Sequence, residues 1–164
     1  PFFLPIIIHS IWRTCCNIRV SFIVFAFGIL LSFGTGYVLV SNGFMLGTFQ
    51  YFFYQKGLLA TSVLTIWIHG TLEISAIIIA GAAGFALGNS ILFPRTYSRI
   101  QSLRRGAIKG VKIIIGLIPI FILAGFLESF VTRLTEAPTF VKLIIILGSA
   151  AFIIYYFRIS SKKG

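Results

Sequence analysis

The chain is 164 residues long, 58% hydrophobic and only 10% charged, with a mean hydropathy of +1.03. A water-soluble domain carries about 25% charged residues, so there is too little polar surface here to enclose a core in water. The formal net charge is +11, from fourteen Lys and Arg against Glu73, Glu128 and Glu136 with no Asp. Those basic residues flank apolar runs, where they anchor to anionic head groups, so no nucleic-acid partner is expected. One membrane domain over residues 1–164 is the simplest organisation. The chain opens at Pro1 inside an apolar run, Phe2 to Ile8, with no small-residue cleavage site after it. That reads as the C-terminal part of a longer polypeptide, not as a signal peptide. Cys15 and Cys16 are adjacent, a geometry too strained for a structural disulfide.

In chain order, the first long apolar run is Ile18 to Val40, broken only by Arg19 and small hydroxyls. Ser41 to Lys56 follows as an outer connection: Asn42-Gly43 is a turn signal, and Phe49, Tyr51, Phe52, Phe53 and Tyr54 suit a bilayer interface. This stretch is expected to lie on the outer leaflet or re-enter it, or to be an ordinary aromatic belt. Leu58 to Phe93 is longer than the roughly 20 residues that a span needs, so it should tilt, kink at Gly70, or begin with an interfacial turn. Ile108 to Phe130 and Phe140 to Phe157 supply the third and fourth crossings. The fold class is thus an all-α membrane bundle of about four transmembrane helices with an interfacial or re-entrant outer segment. Lys and Arg near the span ends divide eleven to three in favour of the side holding Arg95 to Lys112. That bias places the chain in a bacterial inner membrane with both ends of this segment in the cytoplasm.

Small residues recur every four positions: Gly28, Ser32 and Gly36 in the first run, Ala80, Gly84 and Gly88 in the second. This spacing stacks them on one helix face and lets backbones approach, within the chain or between copies. His69 and Glu73 also stand four apart, one turn of a helix, and Glu128 lies in AGFLESF of the third span. Counted from the outer ends of their spans, all three fall in the same half of the bilayer and can meet. Such a cluster admits several readings. A metal-dependent hydrolase needs three ligands and a base, yet there is no HExxH and His9 lies toward the other face, so no metal and no cofactor are expected. A Ser75 or Ser129 nucleophile lacks its glycine-framed motif. A proton or cation pathway suits carboxyls beside an imidazole. A hydrogen-bonded polar knot that fixes helix register is the remaining reading, and the one preferred.

The stretch HGTLEISAIIIAGAAGFALG, His69 to Gly88, resembles the signature of the stage II sporulation protein M family. The likeness reaches back to Asn17, Gly34-Thr35-Gly36 and SNGFMLG, and forward to AGFLESFVT around Glu128, covering roughly Asn17 to Phe157. It marks His69, Glu73, Glu128, Asn42 and Gly43 as family-pattern positions. It implies a polytopic bacterial membrane protein whose namesake resembles a scaffold that recruits cell-wall-degrading partners. The family extends to bacteria that do not sporulate, so sporulation itself is not implied. The expectation is a non-enzymatic subunit or scaffold of an envelope complex, partnered by the lipid bilayer and by other membrane or envelope proteins, with a homo-oligomer compatible. The alternative is a transporter or channel component using His69, Glu73 and Glu128.

Overall fold

The computed structural model describes residues 3–30, 32–94, 96–131 and 138–162. They form five α-helices, with no strand among the described residues: α1 (Phe3–Ala26), α2 (Phe33–Gln55), α3 (Leu59–Leu92), α4 (Arg99–Phe126) and α5 (Thr139–Lys162). A 3-10 turn, Phe27–Ile29, ends α1, and a π-turn, Leu127–Val131, ends α4. Four stretches are long and apolar enough to cross a bilayer: Ile8–Ile29, Leu59–Leu92, Arg99–Ser129 and Thr139–Arg158. Helices satisfy every backbone polar group internally, which is what hydrocarbon demands of a spanning chain. The expected all-α membrane bundle is present.

The first crossing is placed differently from the sequence expectation. Ile18 to Val40 is not one helix, because the chain reverses between Ile29 and Phe33. Ser32 takes the left-handed conformation there, with φ of 71°, while its N–H donates to Gly28 O at 3.1 Å. The reversal is wedged against α3, where the Ser32 hydroxyl donates to Phe85 O at 3.3 Å. The Asn42-Gly43 turn is absent. Both residues lie inside α2, and the Asn42 amide donates back to Val38 O at 2.8 Å. A turn there would expose backbone groups that the helix pairs, and in an apolar setting the helix wins. The extra segment before the second span is therefore helical from Phe33 and packs lengthwise along α3. Leu39 meets Gly81, and the Ser62 hydroxyl donates to Gln50 Oε1 at 3.2 Å.

The centre of the bundle is α3, which touches every other helix and runs unbroken through Gly70. Leu72, Ala76, Ala80, Ala83 and Leu87 recur at helical spacing and are buried against Leu117, Ile120 and Phe121 of α4. At 34 residues α3 is about 51 Å long, well beyond a hydrocarbon core of about 30 Å, so it tilts or protrudes.

Contacts fix which helix ends lie together. Ser102 donates to Ser90 O, joining the start of α4 to the end of α3, and Phe25 of α1 packs on Gly110. At the other end Arg13 of α1 meets Glu128 beyond α4. In α5, Ile145 and Ser149 lie beside Leu123 and Leu127, while Tyr156 donates to Gly116 O. The start of α1 and the end of α5 consequently sit at opposite ends of the bundle. The hairpin at Ser32 adds a helix, α2, that runs back along α3 and that the hydropathy pattern does not separate from the first run.

Candidate functional site

One face of α1 and the 3-10 turn that ends it carries Ser10, Thr14, Asn17, Ser21, Val24 and Gly28, a three-to-four-residue rhythm that puts all six on one stripe. This stripe faces α3 and α4. Its lower part is polar: the Thr14 hydroxyl donates to Phe121 O at 3.4 Å. Its upper part is tight. Gly28 packs directly on the Gly84 backbone, and a side chain on Gly84 would meet Thr35 Oγ1 at 2.6 Å and Val24 O at 2.9 Å. One on Gly88 would meet Ser32 N at 2.6 Å and Gly28 O at 2.7 Å. The small-residue seam thus joins helices of the same chain. The fully buried Thr35 locks it by donating to Val24 O at 2.8 Å.

Where the stripe is polar, it comes near the residues of α3 and α4 singled out above. His69 is buried one turn before Glu73 on α3, and Glu128 reaches them from the π-turn. A π-turn carries one more residue per turn than the helix before it and is frequent at functional sites. Arg13 completes the group, its Nη2 lying 2.7 Å from Glu128 Oε1 and its Nε donating to Oε2 at 3.2 Å. This two-point contact is the strong form of Arg–carboxylate pairing. Glu128 and Arg13 both act electrostatically on His69 and Glu73, and Asn17 hydrogen-bonds the Glu73 carboxyl. Glu73 Oε1 is buried without a hydrogen-bond partner, as are the hydroxyls of Ser21 and Ser129.

Sequence reasoning found His69, Glu73 and Glu128 but assigned Arg13 to a membrane-anchoring role. The signal that identifies it is its neighbourhood: it lies within the polar stripe of Ser10, Thr14 and Asn17, not beyond the end of a helix. The pair has a clear physical reason. A lone charge at the middle of a membrane helix costs about 2.5–3.5 kcal/mol on insertion scales, and each of these residues neutralises the other. Beside the cluster the hydroxyls of α3 bond their own helix, Thr71 donating to Trp67 O and Ser75 to Thr71 O, both at 2.6 Å. Among the described residues no three His, Cys, Asp or Glu side chains are grouped to hold a metal ion.

The family model described as Stage II sporulation protein M matches residues 5–133. The matched stretch starts earlier than the resemblance read from the sequence and ends before α5. No curated protein and no solved structure matches the chain. The match takes in the ion pair, the His69–Glu73 turn and the glycine seam together, and the chain belongs to the Stage II sporulation protein M family of membrane proteins.

Proposed function

We propose that the protein is a non-enzymatic membrane scaffold of a bacterial envelope complex, with its polar cluster holding α1, α3 and α4 in register. The observation that carries this reading is the Arg13–Glu128 pair in an otherwise close-packed bundle. A cation site needs a carboxylate free to bind, and Glu128, one of the two carboxylates of the cluster, is already paired with a guanidinium that repels cations. A transport route also needs polar lining through the full thickness. From Ala76 to Leu87 the interior is filled by Ala80, Ala83, Leu117, Ile120 and Phe121, and the cleft of about 370 Å³ between α4 and α5 is walled by Leu123, Phe126, Leu127, Ile145 and Phe152, with Ser149 the one polar side chain of its lining. Among the described residues, that filling offers no continuous polar lining beyond the cluster.

The same reading orients the chain. Arg99, Arg104, Arg105, Lys109, Lys112 and Arg158 gather toward the end where α3 meets α4, which is the cytoplasmic end by the positive-inside bias. The start of α1 and the Gly57 turn then lie on the far side of the inner membrane. The test is a flux assay on the purified protein in vesicles loaded with a pH- or cation-sensitive dye, beside cross-linking of the full chain in native membranes. No flux above empty vesicles, with an envelope protein cross-linked, is expected. A flux abolished by Glu128→Gln in protein that remains folded overturns the reading in favour of a transporter.

A further inference from the structure

The outward half of the first turns of α4 carries Ile100, Arg104, Arg105, Ile108, Lys109 and Lys112, all exposed. At about 100° per residue they fall within one half-turn, opposite the buried Gly110, Ile114 and Leu117. No described carboxylate shares this end of the bundle. Glu73 and Glu128 are the two among the described residues, and both belong to the cluster at the other end. Arg105 is already held in place, its Cζ 3.9 Å from the centre of the Tyr97 ring. Stacking uses the face of a guanidinium and leaves the N–H groups of its edge open to an acceptor.

The order of residues along this face decides what can cover it. Moving away from the charge-free run that starts at Ile113, the face presents Lys112 and Lys109, then Ile108, then Arg105 and Arg104. Beyond all four cations comes Ile100, which is 80% exposed. Phe93, at the end of α3, is 69% exposed at the same corner, where Ser102 of α4 meets Ser90 of α3. A bilayer offers hydrocarbon first and head groups outside it. Lipid phosphates can neutralise the four cations, but a membrane holds nothing apolar beyond them to cover Ile100 and Phe93. A second copy fails for another reason, since a symmetric contact would set this basic face against itself. An acidic protein surface with apolar side chains of its own answers both the charges and the apolar corner.

We propose that the outward face of α4 from Ile100 to Lys112 docks an acidic amphipathic helix of a cytoplasmic partner. Its carboxylates meet Arg104, Arg105 and Lys109, and its apolar side chains meet Ile100 and Phe93. The proposal rests on the scaffold reading and gives the chemistry of one partner. Salt weakens such a contact, because exposed charges are screened beyond about 8–10 Å at ordinary ionic strength.

The test uses the full chain in phosphatidylcholine nanodiscs, with empty nanodiscs as the blank, and a labelled helical peptide carrying Glu on one face and Leu on the other. Fluorescence anisotropy should show it bound about ten-fold more tightly than the same peptide with Gln for Glu, and more tightly than one with Ser for Leu. The double variant Arg104→Glu, Arg105→Glu should erase the preference for Glu and transfer it to a peptide with Lys in its place. Phe93→Ser, Ile100→Ser should remove the advantage of Leu, and Lys56→Gln, at the Gly57 turn, should change neither. Circular dichroism confirms that each variant is folded, and Arg104→Gln, Arg105→Gln carries the test if the reversed pair is not. Equal binding of the Glu and Gln peptides, or a preference that survives in the Arg104, Arg105 variants, overturns the proposal. So does an advantage of Leu that persists without Phe93 and Ile100. Phosphatidylglycerol that displaces the peptide, and stays on the extracted chain in mass spectrometry only when Arg104 and Arg105 are present, makes a lipid head group the occupant and overturns it too. If the peptide fails while the chain still cross-links an envelope protein and passes no ions, the scaffold role stands and only this docking face is wrong.

Discussion

Breaking the Arg13–Glu128 pair from one side should harm the protein more than removing both charges. At 2.7 Å and an effective dielectric constant of about 20, the attraction between the two charges is about 6 kcal/mol. Desolvation of the two ions offsets more than half of that. The Arg13 side chain is also 44% exposed, against 12% for Glu128, so it can relax outward when its partner is lost. Glu128→Gln or Arg13→Leu alone should therefore cost about 2–3 kcal/mol, at the low end of what a broken buried pair costs. The double variant Arg13→Leu, Glu128→Leu should fall within about 1 kcal/mol of the wild type, because no uncompensated charge is left in the bundle. The assay is a double-mutant cycle on unfolding in mixed micelles, followed by circular dichroism, with the exchanged pair Arg13→Glu, Glu128→Arg as a third arm. If the single effects simply add in the double variant, the two residues are not coupled and the pair does not hold α1 to α4.

The glycines divide by what surrounds them. Gly84→Ala should destabilise by about 1–3 kcal/mol, since the added carbon has no room between Thr35 and Val24. Gly43→Ala and Gly47→Ala, with nothing within 4 Å, should be neutral or slightly stabilising by up to about 1 kcal/mol through better helix propensity; the same unfolding assay ranks all three. Thr35→Val should cost about 1–2 kcal/mol by orphaning a buried carbonyl, whereas Asn42→Ala, which removes only a bond within α2, should change stability by less than about 0.5 kcal/mol. For topology, single cysteines on a background lacking Cys15 and Cys16 should react with an impermeant reagent in spheroplasts at Phe3 and Gly57 but not at Ser102. Labelling of Ser102, or protection of Phe3 with labelling of Gly57, would show that the orientation or the hairpin is wrong.

What the sequence determined by itself was everything that depends on composition and short-range periodicity. A charged fraction of 10% forces the chain into lipid, and lipid forces it into helices. His69 and Glu73 share a face because four residues make nearly one turn, and Gly84 and Gly88 mark a close approach for the same reason. What only the tertiary structure decided were the pairings between distant segments. Arg13 and Glu128 are separated by 115 positions, and although the polar stripe of Ser10, Thr14 and Asn17 marks Arg13 as facing inward, nothing local says which distant residue it meets. The reversal at Ser32 was equally hidden: it has neither proline nor an Asn-Gly step, and an apolar run continues through it. The chain turns there because Gly28 and Ser32 pack against the bare backbone of Gly84 and Gly88 on α3. At Asn42-Gly43, where the local signal was strong, no neighbouring helix repays the broken hydrogen bonds, so the helix continues.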